Sequence, residues 1–322
     1  MKYKMFTGAL LAACAFGGVA HAAPSCQVGI SMYTLGAPYF AAQMQAAVAE
    51  AKKDGCIVRT ADAQNNMVKQ IGDIQDMVSA GVNVLIVNPR DPNGLIPAVN
   101  AAAKQGVKVI GMDSLFARGA DIVTNVSADN GENGQLVGQW LAKHMQGKPI
   151  KMALISGDQG NLVGQARRLG VLTGLMDGLL TNYGHANIDV VGQGWGHWTN
   201  DGGLKAMEDL LTAHPDINVV LGENDSMVLG ARKALQAANH LNGVLLVAAA
   251  DGQKQALELI QKGDYGATGL NSPTILAHMA VDIGVKALDG KLDKKLDYYT
   301  FTPPVAITKA NVSKYYDANS VF

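Results

Sequence analysis

Residues 84–113 read VLIVNPRDPNGLIPAVNAAAKQGVKVIGMD. Two apolar runs, each closed by a polar residue (Asn88 and Asp113), flank a turn and a segment of helical pattern. Apolar runs of this kind are strands of a parallel sheet buried on both faces. The same form recurs in MALIS ending at Ser156, VVLGEN ending at Asn224 and VAAAD ending at Asp251. In parallel sheets ligands bind just beyond the carboxyl ends of the strands. The polar residues therefore stand repeatedly where a ligand would be.

Outward from this stretch, strand and helix alternate almost to the end. The pattern predicts strands at 27–33, 56–61, 84–88, 107–112, 150–155, 188–194, 218–222, 244–250 and 265–270, with helices between them. The helix over 39–53 carries Phe40, Met44, Val48 and Ala51 at helical spacing and ends at Gly55. A last helix spans 273–288, followed by a terminal segment. Such alternation gives an α/β fold with right-handed crossovers. The strands are too many for one open sheet, so two Rossmann-like βα lobes with a cleft between them are expected. The lobe change is expected near 125–130, where TNVSADN forms a polar break.

The chain has 322 residues, 48% of them hydrophobic, enough for two medium lobes with full cores. Its formal net charge of -1 leaves no footprint for nucleic acid or anionic lipid. The first 22 residues stand apart. Lys2 and Lys4 precede a stretch of apolar and small residues, and Ala20-His21-Ala22 fits a signal-peptidase site. That stretch is too short to span a bilayer, so export to the periplasm is expected. Leu11-Ala12-Ala13-Cys14 has the form of a lipobox, whose use would instead tether the protein through Cys14. Cleavage after Ala22 leaves Cys26 and Cys56, each opening a predicted strand. If those strands are neighbours the two thiols come within disulfide reach; two buried free thiols are the alternative.

The strand ends collect Asn88, Asp113, Asn224, Asp251 and, after the last strand, Asn271, while Arg167 lies near the start of a helix. Tyr39, Phe40, Trp195 and Trp198 fall on neighbouring loops. Carboxylates and amides offer fixed hydrogen-bond partners, a guanidinium donates in a fork, and flat rings cover C–H faces. The set is complementary to a polyhydroxylated small molecule. Taken singly, each Asn or Asp also reads as a helix cap or turn former. Trp140 lies in an apolar helical stripe and reads as core. The histidines show no metal-ligand spacing, so no metal site is expected. No GxGxxG, GxxxxGK[ST] or GxSxG motif is present, which argues against an enzyme or a bound cofactor; Asp113 and Asp251 could at most imitate a glycosidase pair.

At these residues the chain resembles the periplasmic sugar-binding proteins of ABC importers, the ribose-binding branch in particular. TLGAPYF (34–40) looks like the first ligand loop of that family. DAQNN (62–66), VNPRD (87–91), SADN (127–130), ARRLG (166–170) and LLTAHPDINVVLGENDSMVLGA (210–231) match further segments. The resemblance implies a ligand set of Tyr39, Phe40, Asn88, Asp113, Arg167, Trp198, Asn224, Asp251 and Asn271. It also implies two lobes joined by a three-stranded hinge near 125–129, 270–274 and 299–303. The lobes are then 24–126 with 272–300, and 127–271 with 301–322. A monomer that delivers a sugar or polyol to a membrane permease is the implied role, with a sensor docking a chemoreceptor or kinase as the alternative. The chain departs from ribose binders at Ala37, Ser114, Ala128, Asp158, Ala250 and Asn271. Ser114 replaces an arginine and Asp158 adds a carboxylate, so a more acidic pocket is expected, and Ala37 and Ala250 are expected to leave it roomier.

Overall fold

The computed structural model describes residues 26–292 and 294–322; the 1–22 leader, the Ala20-His21-Ala22 motif and Cys14 lie outside the described residues. The first lobe opens with β1 (Gln27–Met32), α1 (Pro38–Lys53), β2 (Ile57–Asp62), α2 (Met67–Ser79), β3 (Val84–Asn88), α3 (Ile96–Lys104), β4 (Lys108–Met112) and β5 (Thr124–Ala128). There follow α4 (Asn130–Met145), β6 (Ile150–Ser156), α5 (Leu162–Tyr183), β7 (Ile188–Trp195), α6 (Asn200–Ala213), β8 (Val219–Gly222), α7 (Asp225–Ala237), β9 (Leu245–Ala248), α8 (Lys254–Lys262) and β10 (Ala267–Gly269). The chain closes with α9 (Pro273–Leu288), β11 (Tyr299–Thr302), β12 (Ala306–Thr308) and a short 3-10 turn over Val312–Lys314.

Among the described residues the strands form two six-stranded sheets of matching order, β11-β5-β4-β3-β1-β2 and β12-β10-β9-β8-β6-β7. Neighbours run parallel except β10 and β12, which pair antiparallel. In each sheet the winding reverses at the first strand, between β1 and β3 and between β6 and β8. That switch point is where an open α/β sheet leaves a crevice at its carboxyl edge. Within the described residues the chain crosses between the sheets three times: from β5 to α4, from β10 to α9, and from β11 to β12.

Both faces of each sheet are covered. Val84, Leu85, Ile86 and Val87 on β3 are all fully buried, the signature of a strand packed on both sides. Ile86 joins Val28, Ile30 and Ile110 in a core closed by α1 and α9. Leu85 and Val87 join Ile74, Val99 and Phe116 on the opposite face. The second sheet is built alike, with Met207, Val228 and Leu257 on one side and Val137, Leu141, Val171 and Leu175 on the other.

The polar break expected near 125–130 is a strand as far as Ala128: β5, Thr124–Ala128, is buried along its whole length. Its polarity is tolerated because each polar side chain finds a partner. The Thr124 hydroxyl donates to the Asp297 carbonyl at 2.8 Å. Asn125 Oδ1 accepts from the Phe116 amide at 2.9 Å, and the Ser127 hydroxyl donates to the Asp113 carbonyl at 2.9 Å. β9 and β10 are shorter than their apolar runs: beyond Ala248 and Gly269 the pairing continues as an isolated parallel bridge between Asp251 and Leu270.

β1 and β2 are neighbours in register from Gln27 and Ile57, and Cys26 and Cys56 at their starts are joined in a disulfide, with Cα atoms 4.6 Å apart. The bond spans a sequence separation of 30 residues. On the chain-entropy account, closing such a loop in the unfolded state contributes about 3–4 kcal/mol. It lies at the amino ends of the strands, so it secures the first lobe from the end opposite the cleft.

Candidate functional site

Pro38 at the first helical position starts α1 with Tyr39 and Phe40 on its first turn. Asn88 is the last residue of β3, and Asp113 follows β4 directly. Asp113 sits in the left-handed region at φ 68°, a conformation costly for a residue with a Cβ and held only where the surroundings impose it. The imposing contacts are visible. The Tyr39 hydroxyl donates to Asp113 Oδ1 at 2.9 Å, and the Asn88 amide reaches Oδ2 at 3.4 Å. The same amide donates to Gln43 Oε1 at 3.1 Å, which fixes its plane.

The second lobe contributes Arg167. Glycines 134 and 138 on α4 and 170 and 174 on α5 let the two helices touch backbone to backbone; a Cβ at Gly138 would lie 2.1 Å from the Val171 carbonyl oxygen. That approach drives Arg167 inward, leaving it 4% exposed. Its guanidinium is spent in three directions. Nε donates to Asn130 Oδ1 at 2.8 Å, Nη1 to the Glu223 carbonyl at 3.2 Å, and Nη2 pairs with Asp251 Oδ1 at 3.0 Å. Asn271 also donates to Asp251 Oδ1, at 3.1 Å.

Trp198 lies between β7 and α6 with φ 62°, its ring 5.8 Å from the Arg167 guanidinium. The space for its indole is a glycine's absence of side chain: a Cβ at Gly157 would come within 2.0 Å of the ring. Gly157→Ala is therefore expected to displace Trp198 and weaken ligand affinity about tenfold, since overpacking costs roughly 1–3 kcal/mol. Tryptophan emission and a binding titration check it; an unmoved spectrum with unmoved affinity contradicts it. Asn224 does two jobs. Its Oδ1 caps α7 by accepting from the Met227 amide at 3.0 Å, and its Nδ2 donates to the Trp198 carbonyl at 3.2 Å. Asn224 is thus a helix cap that also lines the cavity.

These side chains enclose a cavity of ≈ 60 Å³ lined from both lobes, by Tyr39, Phe40 and Asp113 on one side and Arg167, Trp198, Asn224, Asp251 and Asn271 on the other. Asn88 is fully buried and stands behind Asp113 rather than on the wall. The cavity opens past Tyr33, Ser114, Asn161 and Val163 into an outer cleft of ≈ 620 Å³. Ala37 lines the cavity, whereas Ala250 is fully buried away from it, so the extra room expected at 250 does not reach the site. Asp158 bonds His197 at 2.7 Å in the outer cleft; the carboxylate it adds lies outside the inner cavity. Trp195 is 38% exposed and off the cavity wall, and Trp140 packs over Gly266 and stacks on His144. Among the described residues no cluster with metal-ligating composition occurs.

Several contributors were not anticipated. Tyr33 follows β1 as Asp113 follows β4, so the rule of polar strand ends, applied to β1, reaches it. Asn161 caps α5 through the Gly164 amide, and a capping pattern alone does not reveal that it also faces the cavity. Asp225 is the largest omission. Its Oδ2 accepts the amides of Asp251, Gly252 and Gln253 at 3.0, 2.8 and 2.8 Å, and its Oδ1 accepts the Tyr265 hydroxyl. It holds the loop that carries Asp251.

The site is electrostatically tense. Desolvation raises the Asp113 carboxyl to about 6, opposed by Arg167 and by the Tyr39 and Asn88 hydrogen bonds. Desolvation also raises Asp251, against Arg167 and Asn271. Asp225 is raised to about 6 by burial and by the nearby Asp251 charge. One guanidinium thus faces two desolvated carboxylates. Asn88 Oδ1 and Asn271 Oδ1 are buried without a hydrogen-bond partner. Asn271, on the cavity wall, and the half-compensated carboxylates make a site that hydroxyl donors would complete.

A family model for the periplasmic binding protein domain matches residues 28–292. The ribose import binding protein of Bacillus subtilis (strain 168) is 32% identical over 268 residues, 83% of each chain. Among solved structures, an ABC transporter solute binding protein from Mycobacterium smegmatis with bound glycerol shares 31% identity at a TM-score of 0.81, over 92% of this chain and 98% of that one. The Caulobacter myo-inositol binding protein bound to myo-inositol shares 30% identity at a TM-score of 0.78, over 89% of this chain and 95% of that one. With two doubly wound sheets, three crossovers and a polar cavity between them, the chain belongs to the periplasmic binding proteins.

Proposed function

We propose that this chain is the substrate-binding component of an ABC importer, taking a monosaccharide or related polyol into the interlobe cavity and presenting it to an inner-membrane permease. The observation that carries the reading is the convergence of Asp113 from one lobe with Arg167 and Asp251 from the other, roofed by Phe40 and Trp198. Each carboxylate accepts from two hydroxyls, and the rings cover the apolar face of the ligand. A ligand held by groups from both lobes favours the closed arrangement, which is the form a permease distinguishes.

The ligand is proposed to be a small polyol or a sugar other than ribose. Ser114 stands where ribose binders carry an arginine, so the cavity has one guanidinium for two carboxylates. Relatives named for, or solved with, xylitol, glycerol and myo-inositol support an all-hydroxyl ligand. The leader at 1–22 directs export, and the mature chain acts in the periplasm as a monomer, without cofactor, metal or nucleic acid.

The test is a thermal-shift panel of pentoses, hexoses, deoxysugars, polyols and inositols on the chain from Ala23 onward. A ligand at a hundred times its Kd is expected to add about 2.7 kcal/mol of stability. A single strong responder names the substrate; silence across every polyhydroxylated compound contradicts the reading.

A further inference from the structure

Phe322 belongs to neither set of ligand-facing residues, yet it packs against one of them. Its ring meets the Tyr39 ring edge-on at 5.3 Å, and Phe322, Tyr39 and Ala42 form a small buried cluster. Phe322 is 6% exposed while its neighbour Val321 is 73% exposed. Tyr39 and Ala42 lie on α1 of the first lobe. The segment that carries Phe322 is fastened to the second lobe. Lys254 at the start of α8 donates to the carbonyls of Ala318 and Ser320, and the Tyr316 hydroxyl donates to Glu258 at 3.2 Å. Tyr315 and Tyr316 pack on the second-lobe core. Ser320 then turns the chain, its hydroxyl donating to the Phe322 carbonyl at 2.6 Å and accepting the Phe322 amide at 3.3 Å.

We infer that Phe322 is an interlobe strap: carried by the second lobe and seated on α1 of the first, it favours the closed arrangement before ligand arrives and sets how fast ligand leaves. Separation of the lobes must withdraw the ring from Tyr39 and Ala42 or pull residues 317–322 off Lys254. Because the Tyr39 hydroxyl donates to Asp113, the strap also holds the orientation of a group on the cavity wall. Phe322 is thus a positioning residue, acting through Tyr39 and through closure. Its effect on ligand release rests on the sugar-binding reading; its effect on closure does not.

The experiment uses the mature chain and compares Phe322→Ala, Phe322→Leu and Lys254→Met. Small-angle scattering without ligand is expected to give a larger radius for Phe322→Ala and Lys254→Met than for wild type. Phe322→Leu, which retains an apolar plug, is expected to scatter as wild type. With the panel's responder, Phe322→Ala is expected to dissociate about ten- to hundredfold faster, the scale set by exposing one large apolar side chain. Lys254→Met leaves the aromatic cluster intact, so a folding defect in Phe322→Ala does not remove the test. Unchanged ligand-free scattering in both variants overturns the strap, and so does an altered dissociation rate with scattering unmoved. The scattering arm needs no ligand, so a failed ligand panel sinks the sugar reading without deciding the strap, and unmoved scattering sinks the strap alone.

Discussion

Arg167→Met is expected to abolish ligand binding and to lower unfolding stability by about 3–5 kcal/mol, the range for removing one partner of a buried ion pair. Arg167 and Asp251 are each about 5% exposed at the side chain and 3.0 Å apart. Loss of the cation strands Asp251, leaves Asp113 without its compensating charge, and deprives Asn130 and the Glu223 carbonyl of a donor. Methionine keeps most of the volume, so the effect is electrostatic rather than a cavity. Arg167→Lys is expected to fall between, because an ammonium cannot reproduce a planar fork that serves three acceptors at once. Chemical denaturation and calorimetric titration check both variants. A methionine variant of wild-type stability and affinity contradicts the assignment.

Asp113→Asn is expected to do the opposite to stability while also losing affinity. The carboxyl is raised to about 6, so at pH 7 it is ionised against a desolvation penalty. Its folded value lies above its unfolded one, so its stabilising contribution is complete below about pH 4 and is lost as pH rises through about 6. Asp225 behaves the same way. By pH 7 the forgone stability is on the order of 2–3 kcal/mol for each group. Replacing Asp113 by its neutral isostere removes that group's share and is expected to raise the melting temperature of the ligand-free protein at pH 7. Affinity runs the other way. On the proposed function, ionised Asp113 would accept from two ligand hydroxyls, so its loss is expected to weaken binding more than about tenfold, the cost of a charged hydrogen-bonding group being roughly 1.5–3 kcal/mol. In the wild type, affinity is expected to fall as pH drops from 7 to 5 through the Asp113 transition, and Asp113→Asn flattens that part of the profile. Affinity in the variant that keeps the wild-type pH dependence would assign the titration to another group.

The carboxyl-end rule for parallel strands explains why much of this site was legible in one dimension. Asn88, Asp113, Asn224 and Asp251 each follow an apolar run, and the sheet order brings those ends to one crevice. What the chain order does not display is depth. Asn88 is placed correctly along β3, yet it backs Asp113 instead of lining the cavity, because Gln43 holds it from behind. Apart from the hinge that the resemblance implied near 125–129, β5 did not read as a strand, because its polar side chains look solvated in sequence and are satisfied only by tertiary partners such as Phe116 and Asp297. Asp225 was hidden by an ordinary role, an acid in the first turn of α7, while its real work is three amides of a loop 26–28 residues away. Ala250 shows the limit of reading size from sequence: a small residue makes room only where its side chain would have faced the cavity, and this one is buried elsewhere.

The proposed function stands on one polyhydroxylated ligand held between Asp113 and the Arg167–Asp251 pair. The decisive experiment is isothermal titration at pH 7.5, with the panel's strongest responder run against wild type, Asp113→Asn and the Gly157→Ala variant. The expected result is one site per chain in wild type, at least about tenfold weaker in either variant. One-to-one binding that is undiminished in both would place the ligand outside this cavity and contradict the proposed function.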